Sequence, residues 1–135
     1  MKTILHVEDD ALIVHIYRQA LIRAGFEVEV AADGLIASKM LFKKRPDVVV
    51  LDLLMPKLAG ADVIKFMRST PALKSTPVII LSDASIADLG IEAITLGAER
   101  VFLKSQCSPN QLITAINEIL GGDLPVPSVT APPQT

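Results

Sequence analysis

Five short apolar runs, Thr3–Val7, Glu27–Ala31, Asp47–Leu51, Pro77–Leu81 and Arg100–Leu103, alternate with segments whose apolar residues recur at helical spacing. That spacing is seen at Leu12, Ile16 and Ala20 in the first intervening segment, and at Leu112, Ala115, Ile116 and Ile119 after the last run. Fivefold β-α alternation predicts one parallel sheet with right-handed crossovers and helices on both faces. The punctuation agrees. Gly25 stops the first helical segment, Asp33-Gly34 separates the second strand from the second helix, and Pro46 and Pro77 stand at strand starts. Half of the residues are hydrophobic but only 4% are aromatic, so the core must be built from Val, Ile, Leu and Ala. Such a mix suits strands covered on both faces.

A chain of 135 residues fits one hydrophobic core. A net charge of −2 argues against a surface that grips nucleic acid directly, and points to protein partners. The single cysteine, Cys107, cannot form an internal disulfide, which suits a reducing compartment; the cytoplasm is expected. The opening MKTILHVEDD reaches its acids too soon for a signal peptide, and no apolar stretch approaches the roughly 20 residues of a membrane span. Membrane insertion is therefore not expected. After Leu120 the composition shifts to GGDLPVPSVTAPPQT, whose prolines oppose another helix. Residues 121–135 are expected to form a flexible Pro-rich tail beyond a domain at 1–120.

Chemistry concentrates where the apolar runs stop. The first ends in Glu8-Asp9-Asp10, the third in Asp52, the fourth in Ser82-Asp83 and the fifth in Lys104. In a parallel sheet these ends share one rim, where ligands bind near the switch in strand order. Clustered carboxylates must raise a pKa or bind a cation, and a hard divalent ion such as Mg2+ takes one or two carboxylates plus phosphate oxygens. Phosphoryl transfer needs little beyond an in-line nucleophile and positive charge around the moving oxygens. Blander roles exist for each residue: Asp9 or Asp10 as a helix cap, Ser82, Asp83 or Ser85 as another, and Lys104 as a solvated charge. Asp52 is harder to explain so, because an acid after the VVVL run is costly to bury without a purpose.

The segments ILHVEDD, VVVLDLLMP with Gly60 beyond it, PVIILS and LGAERVFLK resemble the motifs of response-regulator receiver domains, over about residues 3–120. The resemblance implies a flavodoxin-like (βα)5 three-layer sandwich with a five-stranded parallel sheet in order 2-1-3-4-5. It implies Asp52 as phosphoacceptor, Ser82 as switch hydroxyl and Lys104 as phosphate-contacting lysine. Mg2+ would be held by Glu8, Asp9, Asp52 and the Leu54 backbone carbonyl. The implied donor is a sensor histidine kinase or phosphotransfer protein, and the implied receiver of the signal is a downstream protein. The surface around the helical segment after the fourth strand, the fifth strand and the last helix is the expected output face and a face for homodimerisation. Catalysis is expected to stop at the chain's own phosphoryl transfer and slow autodephosphorylation.

Several positions depart from the family pattern. Val101 stands where many members carry a switch Tyr or Phe, and Phe102 should point to the opposite side of its strand. Ser105 replaces the usual Pro after the lysine, so either strain is stored there or the loop is rebuilt. Ala59 replaces a common Asp. Leu54 and Ala84, two residues after Asp52 and Ser82, cannot orient a hydrolytic water as polar side chains could, which implies slow loss of the phosphoryl group. His6 reads as a core residue, His15 as surface, Cys107 as inert, and Lys43-Lys44-Arg45 as a solvated turn. Two competing readings are a phosphorylation-independent pseudo-receiver and a flavin-binding or hydrolytic enzyme on a similar sheet. The first would need none of these residues; the second is opposed by the acidic loop after the first strand.

Overall fold

The computed structural model describes residues 1–53, 60–82, 94 and 96–121. All five apolar runs form strands: β1 (Thr3–Val7), β2 (Glu27–Ala31), β3 (Val48–Leu51), β4 (Val78–Ser82) and β5 (Arg100–Leu103). Between and after them lie α1 (Ala11–Arg23), α2 (Gly34–Lys44), α3 (Gly60–Arg68) and α4 (Pro109–Gly121). The strands pair in parallel in the order β2-β1-β3-β4-β5, the flavodoxin-like arrangement.

Alternation along each strand divides the core into two layers. Leu5, Val7, Val49, Leu51, Val78 and Ile80 meet α2 and α3 through Ala37, Leu41, Val63, Ile64 and Met67. Ile4, Val48, Val50, Ile79 and Leu81 meet α1 and α4 through Tyr17, Leu21, Leu112, Ala115 and Ile116. The sheet is thus sandwiched between two helix layers, and aliphatic residues dominate both sides.

The first helix forms where expected but presents a different stripe. Leu12 and Ile16 are exposed, and Ala20 is only half-buried. Tyr17 and Leu21 are buried and Ile13 packs beside them. The stripes 12-16-20 and 13-17-21 have identical spacing, so periodicity could not choose between them; the second wins because its larger Tyr and Leu fill the gap between β1 and α4. Gly25 ends this helix region with a φ of 97°, a backbone that L side chains adopt at a steric cost. Asp33 caps α2, its carboxylate accepting from the Ile36 amide at 2.8 Å. Asp47 stands just before β3 rather than in it, and its carboxylate accepts from the Thr3 amide at 2.7 Å.

The segment 83–93, with Asp83, Ala84 and Ser85, lies outside the described residues, as do Leu54, Ala59 and 122–135, most of the expected tail. Among the described residues, no helix is long and apolar enough to cross a membrane.

Candidate functional site

Strand register assembles the rim. Val7 pairs with Ala31 on one side and with Leu51 on the other, so the next residues, Glu8 and Asp52, emerge side by side. The ladder continues one step: the Glu8 amide donates to Ala31 at 2.9 Å, and the Asp52 amide donates to Val7 at 3.0 Å. Ser82, the last residue of β4, pairs with Leu103, which places Lys104 beyond it.

The side chains converge there. Asp52 is 5% exposed and Ser82 is fully buried. Ser82 Oγ donates to Asp52 Oδ1 at 3.2 Å, and Lys104 Nζ donates to Asp52 Oδ2 at 3.1 Å. The lysine also bridges Glu8, 2.8 Å from Oε1 and 2.9 Å from Oε2. Carboxylate oxygens of Glu8, Asp9 and Asp52 lie within 4.8 Å of one another.

The acidic trio after β1 divides its labour. Asp10 is the N-cap of α1, accepting from the Leu12 and Ile13 amides at 2.9 and 3.3 Å. Glu8 is buried, and its Oε2 accepts from the Asp10 amide at 3.1 Å. Asp9 is exposed, its carboxylate directed at the cluster. The capping role thus falls on Asp10 alone. Ser82 is a buried donor to Asp52, and Lys104 is a partly buried, paired ammonium rather than a solvated one.

Burial pushes the Glu8 carboxyl above the usual carboxylate range, against the opposing pull of its Lys104 hydrogen bond. For Lys104 burial alone would lower the pKa, but the bonds to Glu8 and Asp52 and the charges of both acids outweigh it and hold the ammonium above the usual lysine value. Lys104 is therefore a permanent cation at neutral pH. Among the described residues, the cluster sets the three carboxyl groups of Glu8, Asp9 and Asp52 against the one ammonium of Lys104, an excess of acid that suits a divalent cation. All donors are hard oxygens, the set that Mg2+ or Ca2+ prefers. Glu8, Asp9 and Asp52 fit such an ion; Leu54, expected to add its carbonyl, lies outside the described residues.

This geometry has relatives. A family model described as the response regulator receiver domain matches residues 4–117. The chain belongs to that family. It is 32% identical over 117 residues to the response regulator MprA of Mycobacterium leprae, covering 87% of this chain and 50% of that protein. The receiver chain thus spans half the length of that relative. Among solved structures, the chemotaxis protein CheY4 of Vibrio cholerae superposes with a TM-score of 0.81 at 30% identity, over 88% of this chain and 98% of that one. The Mn(2+)-bound form of the response regulator Rcp1 gives 0.78 at 26% identity, over 98% and 99%.

The departures have structural outcomes. Val101 packs into the α2/α3 layer and Phe102 into the α1/α4 layer, so Phe102 does not take over the Val101 position. After Lys104 the loop is rebuilt as a 3₁₀ turn, Lys104–Gln106, with only trans peptide bonds among the described residues. Cys107 is buried, and burial pushes its thiol up to about 11. His6 is buried with both ring nitrogens lacking hydrogen-bond partners, a packed residue whose ring meets Tyr17 edge-on. His15 and Lys43-Lys44-Arg45 are exposed. Sequence reading passed over Tyr17, whose hydroxyl donates to the Cys107 carbonyl; nothing in the local pattern signals a bond between residues so distant in sequence.

Proposed function

We propose that this receiver domain accepts a phosphoryl group on Asp52 from a phosphohistidine donor, a sensor kinase or phosphotransfer protein, and passes the signal on through protein contact. The observation that carries the reading is the fixed Asp52 carboxylate, one oxygen held by Ser82 and the other by Lys104. In the forward step a carboxylate oxygen forms a bond to phosphorus while the phosphorus-nitrogen bond of the donor breaks, its electron pair returning to the imidazole. Lys104 offers positive charge to the equatorial oxygens, and its pairing with Glu8 keeps it in place before the donor arrives. Glu8, Asp9 and Asp52 would hold Mg2+, which when bound adds a second positive charge against the phosphoryl oxygens. The excess of acid in the cluster and the Mn(2+)-bound state of the related Rcp1 support that assignment.

Once Asp52 carries a phosphoryl group, Ser82 loses its carboxylate acceptor and turns to a phosphoryl oxygen, which biases the surface around β5 and α4 toward a protein target or a second copy of the chain. A cytoplasmic setting fits this chemistry. Titration with beryllofluoride in magnesium buffer tests the reading: saturable, Mg2+-dependent binding that Asp52→Asn abolishes is expected. Absence of binding by the wild type would favour a phosphorylation-independent module.

A further inference from the structure

We propose that Tyr17 is a positioning residue for Lys104, acting through the hydrogen bond that its hydroxyl donates to the Cys107 carbonyl; the inference rests on the phosphoacceptor reading above. Glu8 and Asp52 hold the ammonium of Lys104, but the backbone that carries it has fewer restraints. Lys104 comes directly after an edge strand, since β5 pairs with β4 alone, and β5 is only half-buried along its length. The 3₁₀ turn that carries Lys104 has no side-chain cap. Ser105 and Gln106 are exposed, and Ser105 has a φ freedom that a proline would lack. A short turn with these properties can slide, and about 1 Å of misplacement at a reacting group can cost on the order of 100-fold in rate.

The chain beyond the turn is firmly held. Ser108 and Gln111 form a capping box at the start of α4: Ser108 Oγ accepts from the Gln111 amide at 3.2 Å, and Gln111 Oε1 accepts from the Ser108 amide at 2.7 Å. Leu112, Ala115 and Ile116 then lock α4 against the sheet. Between this anchor and the turn stands Cys107, its side chain in the same buried cluster as Tyr17. The tyrosine hydroxyl, reaching across from α1, fixes the backbone where the turn ends.

Tyr17 also rests on the strand that leads to the lysine's partner. Its ring is 4% exposed and meets the His6 ring edge-on, with centroids 6.1 Å apart. His6 lies in β1, two residues before Glu8, which directly follows the strand. One side chain therefore spans the gap between the Lys104 loop and the strand that leads to Glu8, and sets the separation at which Nζ bridges Glu8 and Asp52. Tyr17→Phe keeps the packed ring and removes only the tether.

The test is loading of the full chain with phosphate from acetyl phosphate in magnesium buffer, in wild type, Tyr17→Phe, Lys104→Met and the double variant. Tyr17→Phe should load about tenfold more slowly with unchanged Mg2+ affinity, and amide exchange at residues 105–107 should quicken. In the Lys104→Met background the same change should have no further effect on the rate, because the residue acts through the lysine. Tyr17→Phe loading at the wild-type rate, or slowing Lys104→Met by the same factor as wild type, would overturn the inference while leaving the phosphoacceptor reading intact. A wild type that accepts no phosphate would overturn that reading instead.

Discussion

Gly60 offers a test of how the rim is supported from below. It is the buried first residue of α3, and its amide donates to the Leu53 carbonyl at 3.2 Å. A Cβ added there would sit 2.5 Å from the Asp52 carbonyl oxygen and 2.7 Å from Leu53 Cα, inside the 3.0 Å that real Cβ contacts respect. Both obstacles are backbone. The helix cannot retreat freely, because Val63, Ile64 and Met67 are fully buried, so residues 52–53 must move by roughly half an ångström or more. Overpacking of this kind costs about 1–3 kcal/mol, and the helix preference of Ala over Gly returns at most about 1 kcal/mol. Gly60→Ala should therefore destabilise by about 1–2 kcal/mol, lowering Tm by roughly 3–10 °C. Because the displacement falls on the Asp52 backbone, phosphate loading from acetyl phosphate should slow by about tenfold or more. Thermal unfolding and acid-labile phosphate, measured on the same preparation, check both. Wild-type values for the two together would refute the steric account.

The acidic trio predicts a division of effects: Asp9→Ala should weaken Mg2+ binding by about tenfold or more, whereas Asp10→Ala should cost about 1 kcal/mol of stability as a lost cap and leave Mg2+ affinity near wild type. Metal titration and urea unfolding of the pair would expose any reversal of roles. With its pKa raised from about 9 to about 11, Cys107 should hold roughly 100-fold less thiolate than an exposed cysteine at pH 8, so thiol reagents should label it only on unfolding. Since the unfolded thiol ionises first, its contribution to stability is present below pH 9 and is lost as pH rises toward 11; urea titrations of wild type and Cys107→Ala across that range should converge at the alkaline end. Phosphorylated protein should decay slowly in magnesium buffer, and Leu54→Asn or Ala84→Glu should accelerate decay by about tenfold, equivalent to ~1.4 kcal/mol of barrier. A wild-type half-life of seconds, indifferent to either change, would contradict this.

Most of the fold was legible because parallel strands buried on both faces read as runs rich in Val, Ile and Leu, and every strand except β2 stops where a polar residue reaches the rim. The site was legible for the same reason: Glu8, Asp52, Ser82 and Lys104 sit at strand ends, where topology alone brings them together. Periodicity failed on α1, where two stripes shared one spacing and only the volume of Tyr17 and Leu21 separated them. It also could not divide Glu8, Asp9 and Asp10 among ion pair, cluster and cap, since all three are acids and the division comes from backbone direction. The bond from Tyr17 to Cys107 joins residues 90 apart and leaves no local trace. Asp47 shows a smaller error of the same kind, a residue placed in β3 that instead ties off the Thr3 amide.

The central claim is that the carboxylate of Asp52 takes the phosphoryl group. It is tested most directly by locating the modification by mass spectrometry after incubation with acetyl phosphate and Mg2+, in wild type and Asp52→Asn. The account predicts a single acid-labile phosphoryl group on the peptide containing Asp52, absent from the variant because an amide cannot act as the nucleophile. A phosphoryl group on Ser82 or any other residue, or undiminished labelling of Asp52→Asn, would contradict it.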